Sequence, residues 1–233
     1  VVDTAHIPAA RLITLAEPDA RVLALVGRRQ VEWDPISAVR IVVGRNAIAC
    51  YVVLPMDVMC MVAVPAQVAP EAVEASVTVS LSSFVTGLEE ALATNEVICF
   101  DIDSLPTVTA PVGQGLTVAQ LPPRDGWQMP IHGVSSDVMP LVKDAVDEFR
   151  QRSVGMSERQ AAPIAEEIWS RSAWAGLPMR TLHAARRLRL LTDEPLRITA
   201  STSGPWKRLS TPRGQLFTYS AGIEARLGLH VVR

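Results

Sequence analysis

The stretch MRTLHAARRLRLL, residues 179–191, gathers four arginines and a histidine into thirteen residues of good helix formers. On a helical wheel Arg180, His183, Arg186 and Arg187 share one arc, opposite Thr181, Ala184, Ala185, Leu188 and Leu191. Guanidinium groups in such an arc can hold phosphates and read guanine edges. A second basic run, GPWKRLSTPRG, adds Trp206, Lys207, Arg208 and Arg213. An exposed Trp206 beside two cations would stack on a base or grip a protein partner. Met179, Leu182 and Leu190, however, fall inside or beside the basic arc. Large apolar groups there argue for a cover, supplied by the acidic first half of the chain or by a second subunit. The arginines would then pair with carboxylates and bind no nucleic acid. Whether Leu182 and Leu190 are covered separates the two readings.

The segment VICFDIDSLPT, residues 97–107, offers a different chemistry. A strand ending in Asp101-x-Asp103 presents two carboxylates for Mg²⁺ or for phosphoryl transfer. It resembles the first motif of haloacid dehalogenase-like phosphatases, with Leu105 where that motif has Thr or Val. The resemblance implies an Mg²⁺-dependent phosphatase-like enzyme, a third hypothesis behind the two binding readings. The four histidines, His6, His132, His183 and His230, stand at no metal-ligand spacing. GQG at 113–115 is not a dinucleotide fingerprint, so no cofactor and no metal are expected. PPRDGWQMPIHG would place Trp127 and His132 in a cleft between domains.

The elements positioning these groups fall into two halves. Residues 21–64 run apolar in short blocks, RVLALV, QVEW, AVRIVV, AIACYVV and VMCMVAV, punctuated by turn formers; this predicts an antiparallel sheet of four or five strands. Residues 69–93 predict one or two helices over a face of that sheet, and VICFDI a closing strand. The apolar run 47–66 carries Pro55 and Asp57 at its centre, which excludes a membrane span and predicts a turn between buried strands. Cys50, Cys60 and Cys99 all sit in apolar runs and read as reduced core residues of a cytoplasmic protein. Arginine outnumbers lysine 20 to two, a composition of high-GC bacterial genomes, which weakens arginine richness by itself as a sign of phosphate recognition.

Five prolines and four glycines between Ser104 and Val134 predict a linker or strap. The chain is therefore expected to comprise an acidic α+β domain at 1–103, a Pro/Gly-rich strap at 104–134 and a basic domain at 135–233. In the last, three helical patterns precede LRITAST, WKRLST and QLFTYS. Residues 136–220 resemble in topology a winged helix-turn-helix domain, with PMRTLHAARRLRLL as third helix and RITASTSGPWKRLSTPRGQLFTY as wing. That resemblance implies a recognition helix in the DNA major groove. Residues 1–150 carry net charge −9 and residues 151–233 carry +7. Such asymmetry fits an anionic partner or mutual attraction of the halves. The expected function is a non-enzymatic binding or regulatory protein, with nucleic acid as partner; a protein-interaction or homo-oligomerisation module is the alternative.

Overall fold

The computed structural model describes residues 10–94, 97–109 and 115–220. They divide into two compact units, one of residues 10–52, 62–94 and 97–109, the other of residues 53–61 and 115–220.

The first unit contains β1 (Leu12–Leu15), α1 (Glu17–Trp33), β2 (Ala38–Val43) and most of β3 (Ala47–Leu54). It continues with the end of β4 (Val58–Pro65), then β5 (Gln67–Val68), β6 (Ser76–Ser80), α2 (Leu81–Thr94) and β7 (Ile98–Asp101). β2 pairs antiparallel with both β3 and β6, while β1 lies between β5 and β7 in a smaller antiparallel sheet. Pro18 and the acidic Glu17 and Asp19 suit the first turn of α1, where the amide dipoles are positive. Ala20, Leu23, Ala24, Gly27 and Gln30 then form its buried stripe. Gly27 lets α1 and α2 approach closely, since a Cβ there would lie 2.6 Å from Val85 Cγ2. Leu23, Val39, Cys50, Val62, Phe84 and Val85 line a small apolar cavity beneath the two helices.

The second unit contains β8 (Gln128–Val134), α3 (Ser135–Arg152), α4 (Glu158–Ser170), α5 (Met179–Arg187), β9 (Arg197–Ser203), β10 (Trp206–Thr211) and β11 (Gly214–Tyr219). Its antiparallel strands run in the order β8, β9, β10, β11 and the 58–61 part of β4. One face, carrying Lys207, Leu209 and Leu216, lies beneath the helices; the opposite face carries Arg208 and Phe217, which Trp127 covers. Ser157 and Gln160 close a capping box at the start of α4. Four charges bind α4 to α3: Glu148 and Glu167 each meet both Arg152 and Arg171. Those guanidinium hydrogen bonds hold both carboxyls down at about 2. The order strand, helix, three strands thus occurs twice, as β1-α1-β2-β3-β4 and, with two added helices, from β8 to β11.

These observations correct the expected fold class, an N-terminal sheet with covering helices followed by a winged-helix-like domain. The segments expected as a wing are three strands of a wider sheet, because β9 gains β8 on one side and β11 gains the β4 segment on the other. β8 itself lies in the stretch read as linker. RVLALV and QVEW, read as strands, belong to α1: over seventeen residues a helical stripe outweighs the local β-branched preference. VTVS is β6 and not helix. At the expected turn after β3, Met56 and Asp57 take left-handed φ of 71° and 55°, as tight hairpins require. Cys50 and Cys60 are buried, Cys99 is exposed, and none forms a disulfide. No described helix is long and apolar enough to cross a membrane.

Candidate functional site

Helix α5 is amphipathic as its sequence predicts, but three of the four residues of its basic arc are half-buried. It packs on α3, α4 and β11, burying Thr181, Leu182, Ala184 and Ala185 completely. Leu182 and Leu190 are 0% and 1% exposed, so the deciding residues are covered within the single chain. Residues 188–191 leave the helix: Arg189 adopts a left-handed φ of 58°, and the Leu190 amide donates to the Ala185 carbonyl at 2.8 Å. The turn rotates Leu190 and Leu191 inward, off the arcs that a continuous helix would give them.

His183 lies flat on Trp169, with ring centroids 4.4 Å apart, and Phe149 packs against the same indole at 5.8 Å, tilted by 49°. Burial, followed by the like charges of Arg187 and Arg186, pushes the imidazole down to about 4. At neutral pH it is therefore uncharged and adds nothing to a cationic surface. Arg180 is half-buried with its Nε enclosed and unbonded; Arg186 is half-buried, and Arg187 reaches solvent.

The basic residues of the expected wing are likewise committed. Trp206 is buried against Tyr219. Lys207 Nζ donates to the Gly176 carbonyl at 2.6 Å and holds the turn that precedes α5. Arg208 donates from Nε to Ser201 Oγ at 3.0 Å and lays its guanidinium 4.2 Å from the centroid of Trp127. Burial lowers its pKa. Trp127 in turn packs on Phe217 and donates to the Pro123 carbonyl at 3.0 Å, which fastens the strap to the sheet. Arg213 donates to the Arg189 carbonyl and pairs with Glu194 at 3.0 Å. The eight predicted residues are not one surface: Lys207 and the α5 residues lie on the helix side of the sheet, Arg208 on the strap side.

The two aspartates serve the backbone. Asp101 Oδ1 accepts from the Arg11 amide at 3.2 Å and the Asp103 amide at 3.1 Å, while Asp103 pairs with Arg11 at 2.9 Å. The carboxylate that would open a phosphatase motif instead caps a short turn. Among the described residues no group of three or more His, Cys, Asp or Glu side chains could hold a metal ion. His132 is exposed on β8, with Nδ1 3.2 Å from Thr199 Oγ1. His6, His230 and residues 113 and 114 of the GQG sequence lie outside the described residues.

A surface feature absent from the sequence reading is the edge of β8. Among described residues the strand pairs only with β9, and it exposes Met129 at 72% and Ile131 at 45%. A register shift between Gln128 and Ile131, together with Pro130, interrupts its first half, so Ile131–Val134 is the regular stretch. Trp174 covers Gly133, where a Cβ would sit 2.7 Å from the ring. The signal for this feature was slight, because Pro130 and Gly133 in QMPIHGV read as loop formers.

A family model described as a domain of unknown function, DUF8185, matches residues 122–222. No curated protein matches the chain in sequence. Among solved structures, the chain is similar to the Caulobacter crescentus pol III beta protein, at 12% identity and TM-score 0.53 over 92% of this chain and 67% of that one. It is similar to the DNA polymerase III beta subunit of Thermotoga maritima, at 12% identity and TM-score 0.52 over 93% and 67%. A DNA polymerase sliding clamp from Pseudomonas aeruginosa matches at 10% identity and TM-score 0.50 over 94% and 68%. At these identities the likeness is one of fold: antiparallel sheets with helices, arranged as in sliding clamps and not as in a winged-helix domain.

Proposed function

We propose that the chain is a non-catalytic protein-association module, a clamp-like scaffold whose working surface is the open edge of β8. The observation that carries this reading is the exposure of Met129 and Ile131 beside a strand edge unpaired among the described residues, while Lys207, Arg208 and Arg213 are spent on internal contacts. An open strand edge offers main-chain donors and acceptors to another strand, and flanking apolar side chains add buried area. The fold likeness to proteins described as sliding clamps supports an association role over catalysis. Nucleic acid is the competing partner, and its signature is binding that weakens steeply with salt.

The test is a photo-crosslinking residue at position 131 of the full chain in living cells, with the exposed Thr86 as control position. Protein adducts at 131 and none at 86 are expected. Their absence at 131, or salt-dependent binding of duplex DNA that is lost in Arg180→Ala with Arg187→Ala, overturns the proposal.

A further inference from the structure

We infer that the β8 edge takes β8 of a second copy, antiparallel across a two-fold axis at His132; this deepens the association role proposed above and rests on it. Strand register selects the centre. A two-fold axis normal to a sheet keeps each residue on its own face, so opposed residues must have the same parity. Centring on residue 131 would set Gly133 against Met129, which has a left-handed φ of 49° and lies in the irregular half of the strand. Centring on residue 133 would set Ile131 against Ser135, the first residue of α3. Centring on His132 sets Ile131 opposite the second copy's Gly133 and keeps the partners of the regular stretch Ile131–Val134, residues 130 to 133, inside β8.

That register is also the one whose side chains complement each other. Ile131 pairs with Ala200 and Gly133 with Ile198, so both lie on the face over which Trp174 extends. Gly133 presents no side chain, and Trp174 roofs it. An Ile131 from the second copy would enter beside that glycine and rest on the indole, twice over by symmetry, burying apolar surface now in water. The strand QMPIHGV carries no Asp, Glu, Lys or Arg, so self-pairing sets no such charges opposite one another. β6 by contrast has its second edge occupied, through the Val79–Thr107 bridge and the Val108 amide on the Thr78 carbonyl.

The experiment uses the full chain. Sedimentation should show a reversible dimer, weakened at least about tenfold by Ile131→Lys, with the melting temperature unchanged at dilutions where both chains are monomeric, since this side chain is exposed in one copy. In a Cys99→Ser background, His132→Cys should give a disulfide-linked dimer under mild oxidation, because opposed residues of an antiparallel pair lie about 4.5–5.5 Å apart at Cα. Val134→Cys, which this register sets opposite Pro130, should not. A chain monomeric at about 100 µM, or a dimer indifferent to Ile131→Lys or uncrosslinked at 132, overturns the self-pairing. Adducts at position 131 to a different protein, with a monomeric chain, would overturn it while leaving the association role standing.

Discussion

Lowering the pH from 8 to 5 protonates a histidine in the unfolded chain while His183, stacked on Trp169 and flanked by Arg186 and Arg187, stays neutral in the folded one. With the imidazole moved from 6.5 to about 4, the unfolded state binds more protons between those values, so stability falls as the pH falls. The contribution is fully present above pH 6.5 and exhausted below about 4. Linkage gives a loss of about 2 kcal/mol at pH 5 and about 3 kcal/mol at pH 4, since a tenfold difference in proton affinity is worth about 1.4 kcal/mol. Glu148 and Glu167, held to about 2, lose their contribution only below about 4.5, which keeps them out of the pH 5–8 window. The assay is urea unfolding followed by tryptophan fluorescence at pH 8, 6.5 and 5, in the wild type and in His183→Phe, which keeps a ring on Trp169. The wild type should lose about 2 kcal/mol more than the variant across that range. Equal losses in both proteins, or a His183 titration by NMR at or above 6.5, would refute the reasoning.

Other perturbations test the packing. Gly27→Ala should destabilise the first unit by about 1–3 kcal/mol, because its Cβ meets Val85 in the α1–α2 contact, whereas Gly87→Ala, with nothing within 4 Å, should stabilise it by up to about 1 kcal/mol; thermal melts of the pair compare them directly. Trp127→Ala removes the stack with Arg208 and Phe217 and should free the strap, read as trypsin cleavage at Arg124 several-fold faster than in the wild type. Arg171→Ala breaks contacts to both Glu148 and Glu167 and should speed amide exchange across α4 while leaving the exchange of β10 and β11 unchanged.

The helices of the second unit were legible in residue spacing. The amphipathic face of α5 could be read from the period of Thr181, Ala184, Ala185 and Leu188, since a helical stripe is a local property, whereas the start of α4 stood open between Ser157 and Pro163. β2, β3 and β4 were legible for a similar reason, as β-branched runs between turn formers. β8 was not, because QMPIHGV contains a proline and a glycine and becomes a strand only by hydrogen bonding to β9, some seventy residues away in the chain. The candidate site divides along the same line. Sequence placed Arg180, His183, Arg186 and Arg187 on one arc and raised the question of Leu182 and Leu190, but a wheel carries no information about what lies opposite an arc. Trp169 arrives from α4 to cover and discharge His183; Gly176, Glu194 and Trp127 arrive from three further segments to engage Lys207, Arg213 and Arg208. Sequence by itself determined which residues are cationic and which helix faces are apolar, because these are properties of a residue and its near neighbours. Only the tertiary structure decided which cations are spent on internal partners and which strand edge is left open, because both depend on contacts between residues far apart along the chain.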